Sequence, residues 1–341
     1  MIHWLKTGLS TTRQCLAQNY RIFVNTFRET ESLNEMMTDN LSVIKICALC
    51  FLLFAFNSSL FGQGCSDAGF CTLNSFKPHA DSLTFTRKLK TGVNVGGADH
   101  SITIFGSYIE FNQQLNTKLS ADVKITTLAQ SGNGISVFNL SDLFLNFNYS
   151  PTSKFTLTAG AKIPLADGNK EQNNLPLPMD YQSSLGTFDL IIGAGYTASR
   201  WQFVWAYQQP LTQNKNKFLA EQYPSDSPLR DFQSTNKFER KGDMLLRISY
   251  PMPVGKSFTF TPSLLPIYHL GNDRYTDAIG NVTEIVKSEG LTLNANLYVD
   301  LSISKASSLQ LNFGTPLVVR ETRPDGLTRS FIVNLEYSLK F

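Results

Sequence analysis

The chain has 341 residues, 17% of them charged and 12% aromatic, with a formal net charge of +3. The charged share falls well below the roughly 25% of soluble domains, yet the mean hydropathy is only −0.12, too low for a bundle of membrane helices. No basic run stands out, so a nucleic-acid partner is not expected.

The first element is ICALCFLLFAF, residues 46–56, eleven apolar residues in a row. A spanning helix needs about 20 residues, so the run is too short to cross a bilayer and has the length of a signal-peptide core. Lys45 precedes it, and Gly62 and Gly64 offer small residues before a cut ahead of Cys65. Residues 36–64 therefore read as a signal peptide starting at Met36 or Met37, and residues 1–35 as an upstream extension from a start assigned too early. Cys47 and Cys50 form a C-x-x-C spacing, but inside that apolar core. Cys65 and Cys71 follow the cut, and a small-loop disulfide is expected there in an oxidising compartment; lipidation of Cys65 is the rival. Residues 65–82 are a short N-terminal segment and a candidate plug.

Residues 83–341 carry alternation with a period of two, the mark of a strand with two unlike faces. Twelve runs fall near 83–94, 102–114, 116–127, 138–149, 154–165, 185–198, 200–210, 239–250, 256–270, 290–303, 307–318 and 328–341. Each is close to the 9–11 residues a tilted strand needs to cross a bilayer. In the seventh, Trp201, Phe203, Trp205 and Tyr207 share one face. The connections alternate between short and long, with long ones near 166–184, 211–238, 271–289 and 319–327. Sorting long loops to one end is the habit of outer-membrane barrels. The expected fold is all-β: a transmembrane antiparallel up-and-down barrel of about twelve strands, both termini periplasmic.

With apolar residues facing lipid, the other parity faces the lumen. It holds Lys88, Lys90, Lys118, Lys124, Lys162, Arg247 and Lys340 against Glu110, Asp122, Asp142, Asp189, Asp243, Asp300 and Glu336. Of these, Lys124, Asp142, Lys162, Asp189, Arg247, Asp300 and Glu336 are the lumen-lining candidates. Equal numbers of each sign argue against a strongly ion-selective ring. Such charges form either a paired ladder that stiffens the wall or a polar track that orients a solute. Twelve strands lie between the filled eight-stranded barrel and the open 16-stranded pore, so a narrow path or a small plug is expected.

The last strand, FIVNLEYSLKF, ends on Phe341. Its outward Tyr337, Leu339 and Phe341 resemble the terminal signal that barrel assembly machinery reads in bacterial outer-membrane proteins. The stretch NLSDLFLNFNYSP (139–151) with FTLTAGAKIPLADG (155–168) resembles the outer-membrane family associated with phenol-degradation pathways, related to FadL-type channels. Asp142 and Leu143 match its Gly-Leu-Gly-Asp-Leu entry, whereas Asn139 and Ser141 stand where that motif has glycines. The signal peptide, strand alternation, loop asymmetry and terminal Phe341 together lead to the expectation of a monomeric barrel in the outer membrane of a Gram-negative bacterium. It passes small solutes passively, hydrophobic ones among them in line with the resemblance.

No G-x-S-x-G or H-E-x-x-H spacing occurs, and no enzyme, cofactor or metal is expected. Asp167-Gly168-Asn169 with Glu171 reads as a loop turn, Gly193-Ala-Gly195 as strand, and His269 as a polar residue near the rim. Two other readings stand beside transport. One is a surface-interaction barrel displaying the loop 211–238. The other is a lipid hydrolase centred on His269. In LPLPMDYQSS, Pro176, Pro178, Met179 and Tyr181 form either an apolar lid or a stiff loop packed on the rim.

Overall fold

The computed structural model describes residues 73–78, 86–326 and 330–341. The extension, the signal segment, Cys65 and Cys71 lie outside those residues. Twelve long strands form the body: β1 (Arg87–Gly97), β2 (Thr103–Gln114), β3 (Leu119–Gly132), β4 (Ile135–Thr152), β5 (Phe155–Pro164), β6 (Asp189–Ala198), β7 (Trp201–Pro210), β8 (Asp243–Ser249), β9 (Phe258–His269), β10 (Gly290–Ser302), β11 (Ser307–Val318) and β12 (Phe331–Lys340). Each pairs antiparallel with its chain neighbours. β12 returns to β1, with Lys88 opposite Lys340 and Gly97 opposite Phe331, which closes the cylinder. Closure matters because an open edge in lipid strands its backbone polar groups. Phe341 completes the seam by exchanging two backbone hydrogen bonds with Arg87, at 2.9 and 3.0 Å.

Alternation in sequence becomes two unlike walls. Along β12 the outward Leu335, Tyr337 and Leu339 are exposed, while Asn334, Glu336 and Ser338 are buried. β7 does the same, with Trp201 and Trp205 outside and Ala206 and Gln208 fully inside. Outward Val93, Ile109, Ile125, Leu157, Ile192 and Leu264 continue the apolar belt around the cylinder. Against water such a belt would be a large uncovered apolar patch. Against hydrocarbon it is the matching surface.

Three details differ from the sequence reading. First, β3 and β4 run on past residues 127 and 138 and meet in a two-residue turn at Asn133-Gly134. Both residues have positive φ, 51° and 74°, the type I′ geometry that Asn-Gly favours. Second, Lys118 does not face the lumen but is exposed in the turn before β3. Third, β4 carries a bulge. Ile125 faces Leu143 and Thr127 faces Leu140, so Ser141 and Asp142 together oppose one residue. Both turn inward and are buried, and the bulge flips the outward parity from Phe138 and Leu140 to Leu145 and Phe147.

The connections at one end are short, while those at the other include 165–188, 211–242 and 270–289. The large loops are folded rather than splayed. Leu177, Tyr181, Phe218, Tyr223, Leu229 and Phe232 pack with Ile102, Ile104, Leu128 and Val137 at the upper ends of β2, β3 and β4. Met179, Leu185, Phe238 and Ile285 join three loops in a second cluster. The Tyr181 hydroxyl donates to the Gly132 carbonyl at 2.9 Å. The 211–238 loop, which the surface-interaction reading would display, thus folds much of its apolar content onto the barrel.

Candidate functional site

The lumen is the site that this fold builds, and its wall is drawn from alternate residues of every strand. On the β12–β1–β2 side, Glu336 gathers the charges. Lys77 Nζ lies 2.7 Å and Lys90 Nζ 3.2 Å from its carboxylate, and the Tyr108 hydroxyl donates to it at 2.6 Å. Lys124 Nζ sits over the Tyr108 ring, 4.3 Å from its centroid. Asn112 bridges Glu110 and Asp122 at 2.8 and 2.7 Å, and Asn148 adds a second bond to Asp122 at 2.7 Å.

Opposite this network, Lys162 and Asp189 face each other directly across β5 and β6. Their side chains meet at 2.9 Å with neither exposed. Asp142, at the bulge, accepts from Ser184 at 2.7 Å and Ser141 at 3.0 Å. Ser183 donates to the Leu140 carbonyl at 2.9 Å, so the 165–188 loop is fastened where β4 bulges. Asp300 is half-buried and accepts from Gln310 at 2.7 Å. Arg247 is buried beside Tyr298, 5.8 Å from the ring centroid. A buried charge without such company costs several kcal/mol, roughly 3–5 when one partner is removed.

Residues 73–78 lie against this wall. Leu73 and Phe76 are almost wholly buried with Phe144, Ile191, Val204, Ala206, Leu245, Leu265 and Ile267. The Phe76 ring lies over Gly193, where a Cβ would collide with it. Arg247 donates to the Phe76 carbonyl, and Lys77 reaches Glu336 on the far side. Sequence reasoning placed Gly193 inward and allowed it room, but nothing local in the sequence joined it to Phe76.

A device recurs along the wall. Asn94 faces Gly106, Asn146 faces Gly160, Asn296 faces Gly314 and Tyr108 faces Gly92 in register. In each pair the larger side chain lies flat over the glycine, in the space a Cβ would take. Missing side chains opposite large ones let inward groups fold along the wall instead of pointing to the axis.

At the loop end, His269 is buried rather than on an open rim. Its Nδ1 is 2.7 Å from Asp243 and its Nε2 2.8 Å from Asp273. Arg240 also pairs with Asp243. With both ring nitrogens engaged by carboxylates, His269 has no free nitrogen to take a proton from a serine. The nearby Ser288 hydroxyl donates to the Ile285 carbonyl at 2.7 Å. Asp167 accepts the Asn169 N–H at 3.1 Å, and Gly168 has φ of 73°, which makes that stretch a turn. Among the described residues no group of three His, Cys, Asp or Glu is arranged to hold a metal.

An apolar outer belt, a closed cylinder and a polar, ion-paired interior define the class: a transmembrane β-barrel. No protein-family model matches the chain and no curated protein does. Solved structures do show likeness. The translocator domain of the autotransporter NalP from Neisseria meningitidis aligns with TM-score 0.42 at 10% identity, covering 77% of this chain and 90% of that one. The monoaromatic hydrocarbon channel CymD aligns with TM-score 0.41 at 10% identity, covering 83% and 98%. The NanC porin aligns with TM-score 0.40 at 8% identity, covering 75% and 98%.

Proposed function

We propose that the chain is an outer-membrane channel for passive passage of small solutes, held closed in this conformation by residues 73–78 and the folded loops. The observation that carries the reading is the segment 73–78 itself. It lies inside a barrel whose exterior suits lipid, and it is fastened by ionic and apolar contacts instead of a continuous strand. A structural barrel has no need of a separable insert. The loop end faces outward in this reading, and both ends of the barrel chain face the periplasm. Cleavage falls near residues 62–64, Cys65 and Cys71 are joined by a disulfide, and the working unit is a monomer.

The test is conductance and solute flux of the purified mature protein in planar bilayers and liposomes. The intact chain is expected to conduct poorly, and deletion of 65–82 to raise conductance at least several-fold. Equal, negligible flux in both forms overturns transport. Mass spectrometry of the exported chain checks the cut, and an intact residue 40 there overturns the signal peptide. The surface-interaction reading is disfavoured by the inward packing of Phe218, Phe232 and Phe238. The hydrolase reading is disfavoured by the occupied nitrogens of His269.

A further inference from the structure

The wall around residues 73–78 has two chemical halves that meet at a defined line. On β6 to β9 it is apolar: Ile191, Val204, Ala206, Leu245, Leu265 and Ile267 form a continuous face under Leu73 and Phe76. On β10 it turns to amide and hydroxyl. The register sets Leu265 directly opposite Asn294, Ile267 opposite Thr292 and Ser263 opposite Asn296. Among the described residues, both polar atoms of the Asn294 side chain are buried without a hydrogen-bond partner, as are Asn296 Nδ2, Thr292 Oγ1 and Thr261 Oγ1. Buried polar atoms are almost always paired in folded proteins. A cluster of unpaired ones beside an apolar face is the surface of a binding site, not of a finished core. Arg247 stands next to the line and already binds a carbonyl, that of Phe76.

We infer that residues 73–78 occupy a solute site and mimic its ligand: a neutral small molecule with an aromatic or branched apolar group and an adjacent amide or carbonyl. The apolar group takes the seat of Phe76 over Gly193. The carbonyl takes the Arg247 guanidinium, and the remaining polar groups pair with Asn294 and Thr292. The inference rests on the channel reading for the segment's displacement, but it concerns binding, which is measured separately from flux.

The probe is N-acetylphenylalanine amide, titrated calorimetrically into the detergent-solubilised mature barrel, with toluene and glucose as apolar and polar comparisons. The Phe76→Ser variant empties the apolar seat over Gly193 while keeping the residue-76 carbonyl, and is expected to bind the amide at least five-fold more tightly than the intact chain. Adding Arg247→Met or Asn294→Leu to it is expected to weaken the amide five-fold or more while leaving toluene within two-fold. Gly193→Leu fills the seat and abolishes binding. Heat-modifiable migration on gels confirms that each variant is folded, and the Arg247 and Asn294 variants keep the test decisive if Gly193→Leu does not fold. Equal affinity in Phe76→Ser and the intact chain, or equal binding of toluene and the amide in every variant, overturns the site. Flux without amide binding removes this inference and spares the channel, whereas binding without flux does the reverse.

Discussion

Lys77 Nζ and Glu336 Oε2 lie 2.7 Å apart although 259 positions separate them in the chain, and both side chains are buried. This contact ties the insert to the closing strand. Lys90 also reaches Glu336 at 3.2 Å, so losing Lys77 leaves the carboxylate with a second cation. Lys77→Met is therefore expected to loosen the insert and raise single-channel conductance with little loss of barrel stability. Glu336→Leu removes the shared partner of two buried lysines and is expected to cost about 3–5 kcal/mol. Urea unfolding in lipid, read beside conductance, separates the two effects.

Lys162 and Asp189 are a fully buried pair at 2.9 Å. Lys162→Met leaves Asp189 charged and without its cation, with an expected loss of about 3–5 kcal/mol. Adding Asp189→Leu is expected to recover most of it, because two apolar groups replace two charges that no longer need solvation. A double-mutant cycle in urea checks this; an uncorrected loss in the double variant contradicts the pairing.

The Asn133-Gly134 turn makes a sharper local claim. Gly134 has φ of 74° and nothing within 4 Å of an added Cβ. Gly134→Val thus meets backbone strain alone, at roughly 1–2 kcal/mol. Gly134→Asn, which tolerates that conformation, is expected to be nearly neutral. Proteolysis at the tip of β3–β4 ranks the variants.

Asp180 makes the loop cap pH-sensitive. Burial, reinforced by nearby Asp99 and Asp325, pushes its carboxyl up to about 7. Gly326 lies against the backbone of Met179 and Asp180, so the cap depends on this packing. With the folded value raised above the unfolded one, the folded cap keeps a proton that the unfolded chain releases. Stability is full below about pH 4, falls as pH rises towards 7 and is level above it. Protection factors for hydrogen exchange in residues 175–186, corrected for the intrinsic base-catalysed rate, are expected to fall from pH 5 to pH 8, and Asp180→Asn to flatten the change.

Phe341→Ala keeps the backbone bonds to Arg87. The variant is expected to refold in vitro with unchanged stability while accumulating unassembled in cells. Normal surface delivery of the variant would rule out an assembly role for Phe341, and alanine at Tyr337 and Leu339 tests theirs in the same way.

Most of the barrel is legible in the chain because a strand that faces lipid on one side and a packed interior on the other must alternate. FIVNLEYSLKF and FTLTAGAKI show this without ambiguity, and their partners follow from the order of strands. The bulge at Ser141 and Asp142 was not legible. It shifts parity within NLSDL, the same residues that carry the FadL-type resemblance, and the side chains that bond it, Ser183 and Ser184, come from the 165–188 loop. Lys118 was misplaced for a simpler reason: β3 begins at Leu119, not 116, so residues 115–118 are turn. The loop 211–238 looks polar in composition because its anchors, Phe218, Phe232 and Phe238, are few and widely spaced. Among the lumen candidates, the direct pairing of Lys162 with Asp189 follows once strands 5 and 6 are aligned. Residues 73–78 have no period to read, so their position depends on contacts distant in the chain, from Tyr108 and Phe144 to Glu336.

The Asn–Gly pairs across the wall imply a rule of inheritance. Because Asn146 fills the space over Gly160, and Asn296 the space over Gly314, each pair behaves as one heritable unit divided between two strands. A lineage that acquires alanine at 106, where the nearest atoms are all of the Asn94 side chain, must turn or shorten residue 94 in the same history. Related barrels should then exchange these residues in couples, large with absent or small with small, and the couples would report strand register directly from sequences.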